Sequence, residues 1–346
     1  MLVHQKENEG RFNIGLIGCG SVVEGLHLPA LQRIPGATVK WVCDSSPGRA
    51  REVARNWGIK QFFTQLSECS DVDAVLVATP VGSRRSILAQ TAERGWHALC
   101  EKPFGANTKE HHEMIDLAAR NGLILGAGYM RRHFWSVERA RHLLRSNVFG
   151  PLVEIVASEA ASLDRTGLDQ SSYRNNAQAS GGGVLMETGC HLLDELMYTS
   201  DADSVDIENC DQKLWDGYEV ETVASGSIAL HSGPRVGLHC TVSGVEPVFQ
   251  GIAFRCDSGE IRLKLDPGKG LDLFVGKDQP HQLVIPHPNP SLNQVSDAFR
   301  CEWIHFLDGI RQPGNWDVYQ ETGLLTTDAI MQCRDLVTST SSMVKL

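Results

Sequence analysis

Residues 14–23 read Ile14-Gly15-Leu16-Ile17-Gly18-Cys19-Gly20-Ser21-Val22-Val23, and the fold turns on them. An apolar run at consecutive positions suits a strand buried on both faces, as in a parallel sheet covered by helices. The glycines that end it permit a tight turn and let backbone N–H groups approach an anion at the start of the following helix. Asp44, at the end of the next apolar run, stands about where a carboxylate meets the adenosine ribose of a dinucleotide. Strand, glycine turn, helix and acid together predict a dinucleotide-binding unit. Val23 replaces the third glycine of the GxGxxG pattern, which predicts a helix seated slightly farther from the strand.

Outward from this turn, apolar runs at 39–43, 74–78, 97–100 and 123–125 alternate with amphipathic segments at 49–57, 84–94 and 109–120. Such alternation predicts an α/β Rossmann domain over residues 1–127. From residue 128 the grammar changes to one helix at 135–145 and then alternating runs from Leu152 to about Ile285. Gly233-Pro234, Asp257-Ser258-Gly259 and Asp266-Pro267-Gly268 read as turns between neighbouring strands. An α+β domain over 128–346 with an open, mostly antiparallel sheet is expected. A helix at 184–198 is entered through three glycines, and two helices close the chain. The first presents Trp303, Phe306, Leu307 and Ile310, the second Leu324, Ile330, Met331 and Val337. The Ser/Thr-rich end from Thr338 to Ser342 is expected to fray.

At 346 residues the chain exceeds the size at which one core usually stops growing, so two domains are favoured. Hydrophobic residues at 42% and charged residues at 21% match an ordinary globular protein. Lys and Arg total 32 against 42 for Asp and Glu, a formal charge of −10 without a long single-sign block. That balance argues against nucleic-acid and anionic-membrane partners. Ten cysteines with no CxxC pair read as reduced thiols. A polar first stretch and no apolar run long enough to span a membrane complete the expectation of a cytoplasmic protein.

Two further constellations carry chemistry. Glu101-Lys102-Pro103 follows a strand, where an open α/β sheet gathers ligands, and a lysine there can favour negative charge developing on a substrate hydroxyl. Gly181-Gly182-Gly183 leads through Glu187 to His191 and Asp194. On a regular helix these last three share one stripe, and a histidine beside a carboxylate suits general acid or base work. No metal is expected, because further ligands at recognisable spacing are missing. Asp44 favours NAD over NADP, since a carboxylate repels a 2′-phosphate. Arg49 stands close by in sequence and reads as a solvated helix residue.

The glycine turn, Glu101-Lys102-Pro103 and the glycine run to His191, in this order, resemble the Gfo/Idh/MocA family of glucose-fructose oxidoreductase and inositol dehydrogenase. Ala78-Thr79-Pro80, Gly128-Tyr129-Met130-Arg131-Arg132 and Tyr173-Arg174 fit the same resemblance. It implies a nicotinamide lying between the two domains, with the final helix packing back on the first. Carried over, Gly18, Cys19, Gly20, Ser21, Val22, Asp44, Thr79, Pro80, Glu101 and Lys102 would meet the cofactor. Tyr129, Arg131, Tyr173, Arg174, Glu187 and His191 would join Lys102 around the substrate. The implied roles are Lys102 polarising the hydroxyl, His191 taking its proton, and Glu187 supporting the pair. Glu187 stands where the family usually has aspartate, and Val81 and Arg84 where it often has asparagine and histidine.

The resemblance implies a dehydrogenase acting on a secondary alcohol of a sugar, amino sugar or cyclitol, or a reductase of the matching ketone. A glycosidase that retains NAD and a dinucleotide-binding regulator without turnover are the alternatives. An open sheet face usually finds a partner, so a homodimer or homotetramer is expected.

Overall fold

The computed structural model describes residues 10–346 apart from 162–169, 215, 231–234, 243–249, 265, 277–279, 290, 291, 293, 341–343 and 346. The expected Gly233-Pro234 turn and the end at Ser341 and Ser342 lie outside the described residues. Six strands come first: β1 (Phe12–Ile17), β2 (Ala37–Cys43), β3 (Gln61–Phe63), β4 (Ala74–Val77), β5 (His97–Cys100) and β6 (Leu125–Ala127). They form one parallel sheet in the order β3-β2-β1-β4-β5-β6. The order reverses between β1 and β4, which leaves a crevice at their C-terminal ends. Strand β4 is buried along its whole length, as its unbroken apolar run requires.

Strand β3, three residues long, has no counterpart among the apolar runs of the sequence, and β6 begins two residues later than expected. Leu123 N–H instead closes the preceding helix on Ala118 O, at 2.9 Å, and Ile124 N–H goes to His97 Nδ1, also at 2.9 Å. The helix after β4 begins at Val81, three residues before the expected start.

The second sheet contains β7 (Leu152–Ala161), β8 (Val205–Leu214), β9 (Val223–Leu230), β10 (Arg235–Val242), β11 (Gly251–Cys256), β12 (Gly259–Lys264), β13 (Leu271–Val275), β14 (His281–Ile285) and β15 (Val344–Lys345). Their order is β14-β13-β12-β11-β7-β10-β9-β8-β15. Pairing is antiparallel except for β7 with β10 and β8 with β15. Ile155, Phe254 and Ile261 bury one face in the core. The other carries Glu154, Arg255 and Glu260 in register.

The helix Gln294–Arg311 places Phe299, Trp303 and Phe306 in one cluster with Ile14, Leu16 and Leu76 of the first sheet. Burial of each such side chain contributes about 1.5–3 kcal/mol. This helix supplies one apolar part of the return to the first domain, and the last helix supplies another, with Ala329, Ile330 and Cys333 in one cluster with Phe104, Met114 and Ala118. The last helix, Leu324–Thr340, also meets the helix Thr108–Arg120 through polar contacts, Thr108 Oγ1 to Asp328 at 2.7 Å and His111 Nδ1 with Thr327 at 2.8 Å. It stays helical through Thr338, where fraying was expected.

Candidate active site

A cleft of about 900 Å³ opens at the ends of β1, β2, β4 and β5. Its floor begins at the glycine turn. Gly18 has a φ of +94°, and a Cβ there would fall on the Ala78 carbonyl, so only glycine suits the position. A Cβ at Gly20 would meet nothing within 4 Å, which leaves this wall bare beside the start of the helix. Cys19 and Val22 line the cleft with the two glycines, whereas Ser21 is exposed and stands outside it. The helix takes a π turn over Val23–His27, beginning at the residue that replaces the third glycine.

Asp44 lines the cleft. Its Oδ2 accepts from Cys19 N–H and its Oδ1 from Ser46 N–H, each at 2.8 Å. The carboxylate is thereby fixed in direction while each oxygen keeps a lone pair. Thr79 and Pro80 form the next part of the wall. The bare glycine edge, the oriented acid and the volume fit an adenine dinucleotide.

At the inner end, Lys102 precedes Pro103 through a cis peptide. Its Nζ donates to Glu187 O at 2.9 Å and to Glu187 Oε1 at 3.4 Å. The same Oε1 lies 3.3 Å from Arg174 Nε, an ion pair without hydrogen-bond geometry. Tyr173, under the Arg174 guanidinium at 4.8 Å, completes that wall. Burial opposes the Lys102 charge, but Glu187, Cys190 and Glu101 more than offset it and raise its pKa.

The expected support of His191 by Glu187 does not form. Residues Leu185–Gly189 make a π turn, whose i→i+5 bonding takes residues four apart off a common stripe. Glu187 turns to the two cations. Asp194 pairs with Arg132 at 2.8 and 2.5 Å, away from the histidine. Burial first, then Lys102 and Arg131, hold the His191 pKa well below the usual histidine range, the reverse of the expected rise. Its Nδ1 is buried without a hydrogen-bond partner. Tyr129 lies edge-on to the imidazole at 6.4 Å. Arg131 is held by Glu159, with two contacts of 2.8 Å, and by Glu195 at 3.5 Å. His191, Tyr129 and Arg131 thus form a group of their own, and none of the three is on the cleft wall.

Glu101 lines the cleft and has a second task there. Its carboxylate takes His27 Nε2 at 2.9 Å and the Lys102 N–H at 3.0 Å, so it positions the lysine segment. Trp303 Nε1 donates to His27 Nδ1 at 3.0 Å, which makes Nε2 the protonated nitrogen facing Glu101. Nothing in the sequence signals this chain. Arg84, by contrast, left a signal: it shares the buried stripe of Val81, Leu88 and Ala92, where a charge demands partners. Those partners are the carbonyls of Glu101, Lys102, Pro103 and Thr79, so Arg84 clamps the lysine loop from behind.

Residues 12–165 match the family model described as an oxidoreductase family with an NAD-binding Rossmann fold, and residues 137–262 match the GFO/IDH/MocA C-terminal domain. The chain belongs to the Gfo/Idh/MocA oxidoreductase family. Among its relatives in the family, the rhizopine catabolism protein MocA of Rhizobium meliloti is 30% identical over 54% of this chain and 57% of its own length. D-glucoside 3-dehydrogenase of Escherichia coli is 26% identical over 64% of this chain and 67% of its own. The chain thus spans little more than half of the first relative. In fold it is similar to a 3-ketoreductase from Actinomadura kijaniata in complex with NADP and TDP-benzene, with a TM-score of 0.79, 18% identity, and coverage of 97% of this chain and 99% of that one. An oxidoreductase from Agrobacterium radiobacter in complex with NAD+, L-tartaric acid and magnesium gives a TM-score of 0.80 at 19% identity, covering 95% and 96%. Both cofactors therefore occur on this fold. No helix among the described residues is long and apolar enough to cross a membrane.

Proposed function

We propose that this chain is an NAD-dependent oxidoreductase that moves a hydride between the nicotinamide and a secondary alcohol or ketone of a sugar-like polyol. One observation carries the reading: a charged lysine stands on the wall of a cleft built for a dinucleotide, with an uncharged histidine buried behind that wall and within reach of the lysine's charge. Lys102 keeps its proton because Glu187 favours the ammonium, and it can donate to a substrate oxygen and favour negative charge there. His191 stays neutral because burial and two cations disfavour its charged form, and it can take the hydroxyl proton in oxidation or return it in reduction. When bound, the nicotinamide supplies the hydride acceptor or donor.

The sugar-like class rests on relatives such as D-glucoside 3-dehydrogenase. The preference for NAD rests on Asp44, whose carboxylate lines the cleft at the ribose end and would repel a 2′-phosphate. We also propose a homo-oligomer formed through the open sheet face. Incubation with NAD and a panel of polyols and glycosides tests the activity by NADH absorbance. Free NADH is expected from a plain polyol, and Lys102→Ala should cut turnover by orders of magnitude while NAD affinity stays within a few fold. Cleavage of a glycoside without NADH release would replace this reading by the NAD-retaining glycosidase.

A further inference from the structure

We infer that Glu24 helps set cofactor choice by tethering Arg49 away from the adenosine ribose. This rests on the dinucleotide reading above. Arg49 is the cation nearest in sequence to Asp44 beyond β2, and the two side chains share a neighbour. Asp44 accepts the Cys19 N–H at 2.8 Å, while Arg49 Nε donates to Cys19 O at 2.7 Å. A guanidinium so placed is within one residue of the ribose carboxylate, and its planar fork is the side chain best suited to a phosphate.

That fork is already engaged. Arg49 Nη2 donates to Glu24 Oε2 at 2.6 Å and Nη1 to Glu52 Oε2 at 2.9 Å. Glu52 is three residues along the same helix and about half exposed; it too favours the Arg49 charge, but it holds the fork to its own helix, whereas Glu24 ties it across to the glycine turn. Glu24 comes from the π turn after the glycines and is itself held by Asn56 Nδ2 at 3.1 Å. Asn56 and Arg49 together hold its carboxyl below the usual range, so it is ionised at neutral pH. Asp44 and Ser45 line the cleft and Arg49 does not. NADP then faces two obstacles: the Asp44 carboxylate repels its 2′-phosphate, and Arg49, the cation nearest that carboxylate in the sequence of this helix, is engaged by Glu24 and Glu52. Glu24 is a positioning residue, acting through Arg49.

Calorimetric titration with NAD and with NADP on a set of variants tests this. Asp44→Asn keeps an acceptor for the turn but removes the charge, and alone it should leave NADP binding little improved. Adding Glu24→Gln should tighten NADP by about tenfold more, and adding Arg49→Ala should abolish that gain. Glu24→Gln alone should leave NAD affinity within about threefold of wild type. The tether is refuted if Asp44→Asn gives the full gain, if Glu24→Gln adds none, or if the gain survives Arg49→Ala. Loss of NAD binding in Glu24→Gln would likewise refute it, assigning Glu24 to the glycine turn itself. A wild-type protein that binds neither cofactor would instead sink the dinucleotide reading.

Discussion

At the scale of single side chains, the partner of Glu187 decides which group carries the proton. Because Glu187 sits against Lys102 and Arg174, its charge acts on the lysine. Removing that charge in Glu187→Gln lowers the Lys102 pKa, since a carboxylate beside an ammonium favours the charged form. The alkaline limb of kcat/KM for ketone reduction, which needs the protonated lysine, is therefore expected to move to lower pH. His191 answers to burial, Lys102 and Arg131 and not to Glu187. Its pKa is depressed, so the acidic limb of alcohol oxidation should lie below the ordinary histidine value of about 6.5. His191→Ala should remove that limb and cost roughly 100-fold to 10,000-fold in rate. The pH profiles of wild type and the two variants check both statements. An acidic limb that moves in Glu187→Gln while the alkaline limb stays would return Glu187 to the histidine.

At the scale of elements, the helix Gln294–Arg311 does more than cover the first sheet. Through Trp303 Nε1 it fixes His27, and through His27 and Glu101 it fixes the backbone of Lys102. Trp303→Phe keeps most of the apolar contact and leaves His27 Nδ1 buried and unpaired. Such a group costs about 1–3 kcal/mol, which urea denaturation would read as a lower midpoint. Turnover should fall together with stability, because Glu101 loses its oriented donor. Unchanged turnover in a folded Trp303→Phe protein would detach this helix from the active site. The π turn at Leu185–Gly189 belongs to the same scale: periodicity predicted a helix there, and the helix is present, but its wider turn redirected Glu187.

At the scale of the whole molecule, the open face of the second sheet is laced with ion pairs, Arg255 to Glu154 at 2.5 Å and Lys264 to Asp272 at 2.8 Å. Val284, 57% exposed on strand β14, stands in register with Asp272 on that face. Light scattering should give a dimer or tetramer for wild type, and Val284→Asp should shift it to a smaller species. An unchanged mass would place the contact elsewhere. How much of all this the sequence held depends on range. Consecutive apolar runs, the Gly18 turn, the ends of β2 and β5, and the change of pattern after Ala127 are local, because burial on two faces and positive φ constrain residues near in the chain. They determined the two-sheet architecture and brought Asp44, Lys102 and Glu187 to one cleft. Only the tertiary structure decided what each charge meets. Trp303 and His27 are 276 residues apart, Lys102 and Glu187 are 85 apart, and Arg49 is tied to a turn 25 residues earlier. Side-chain pairing and burial arise from packing between distant segments, and no local period encodes which distant carboxylate will lie within reach of a given cation.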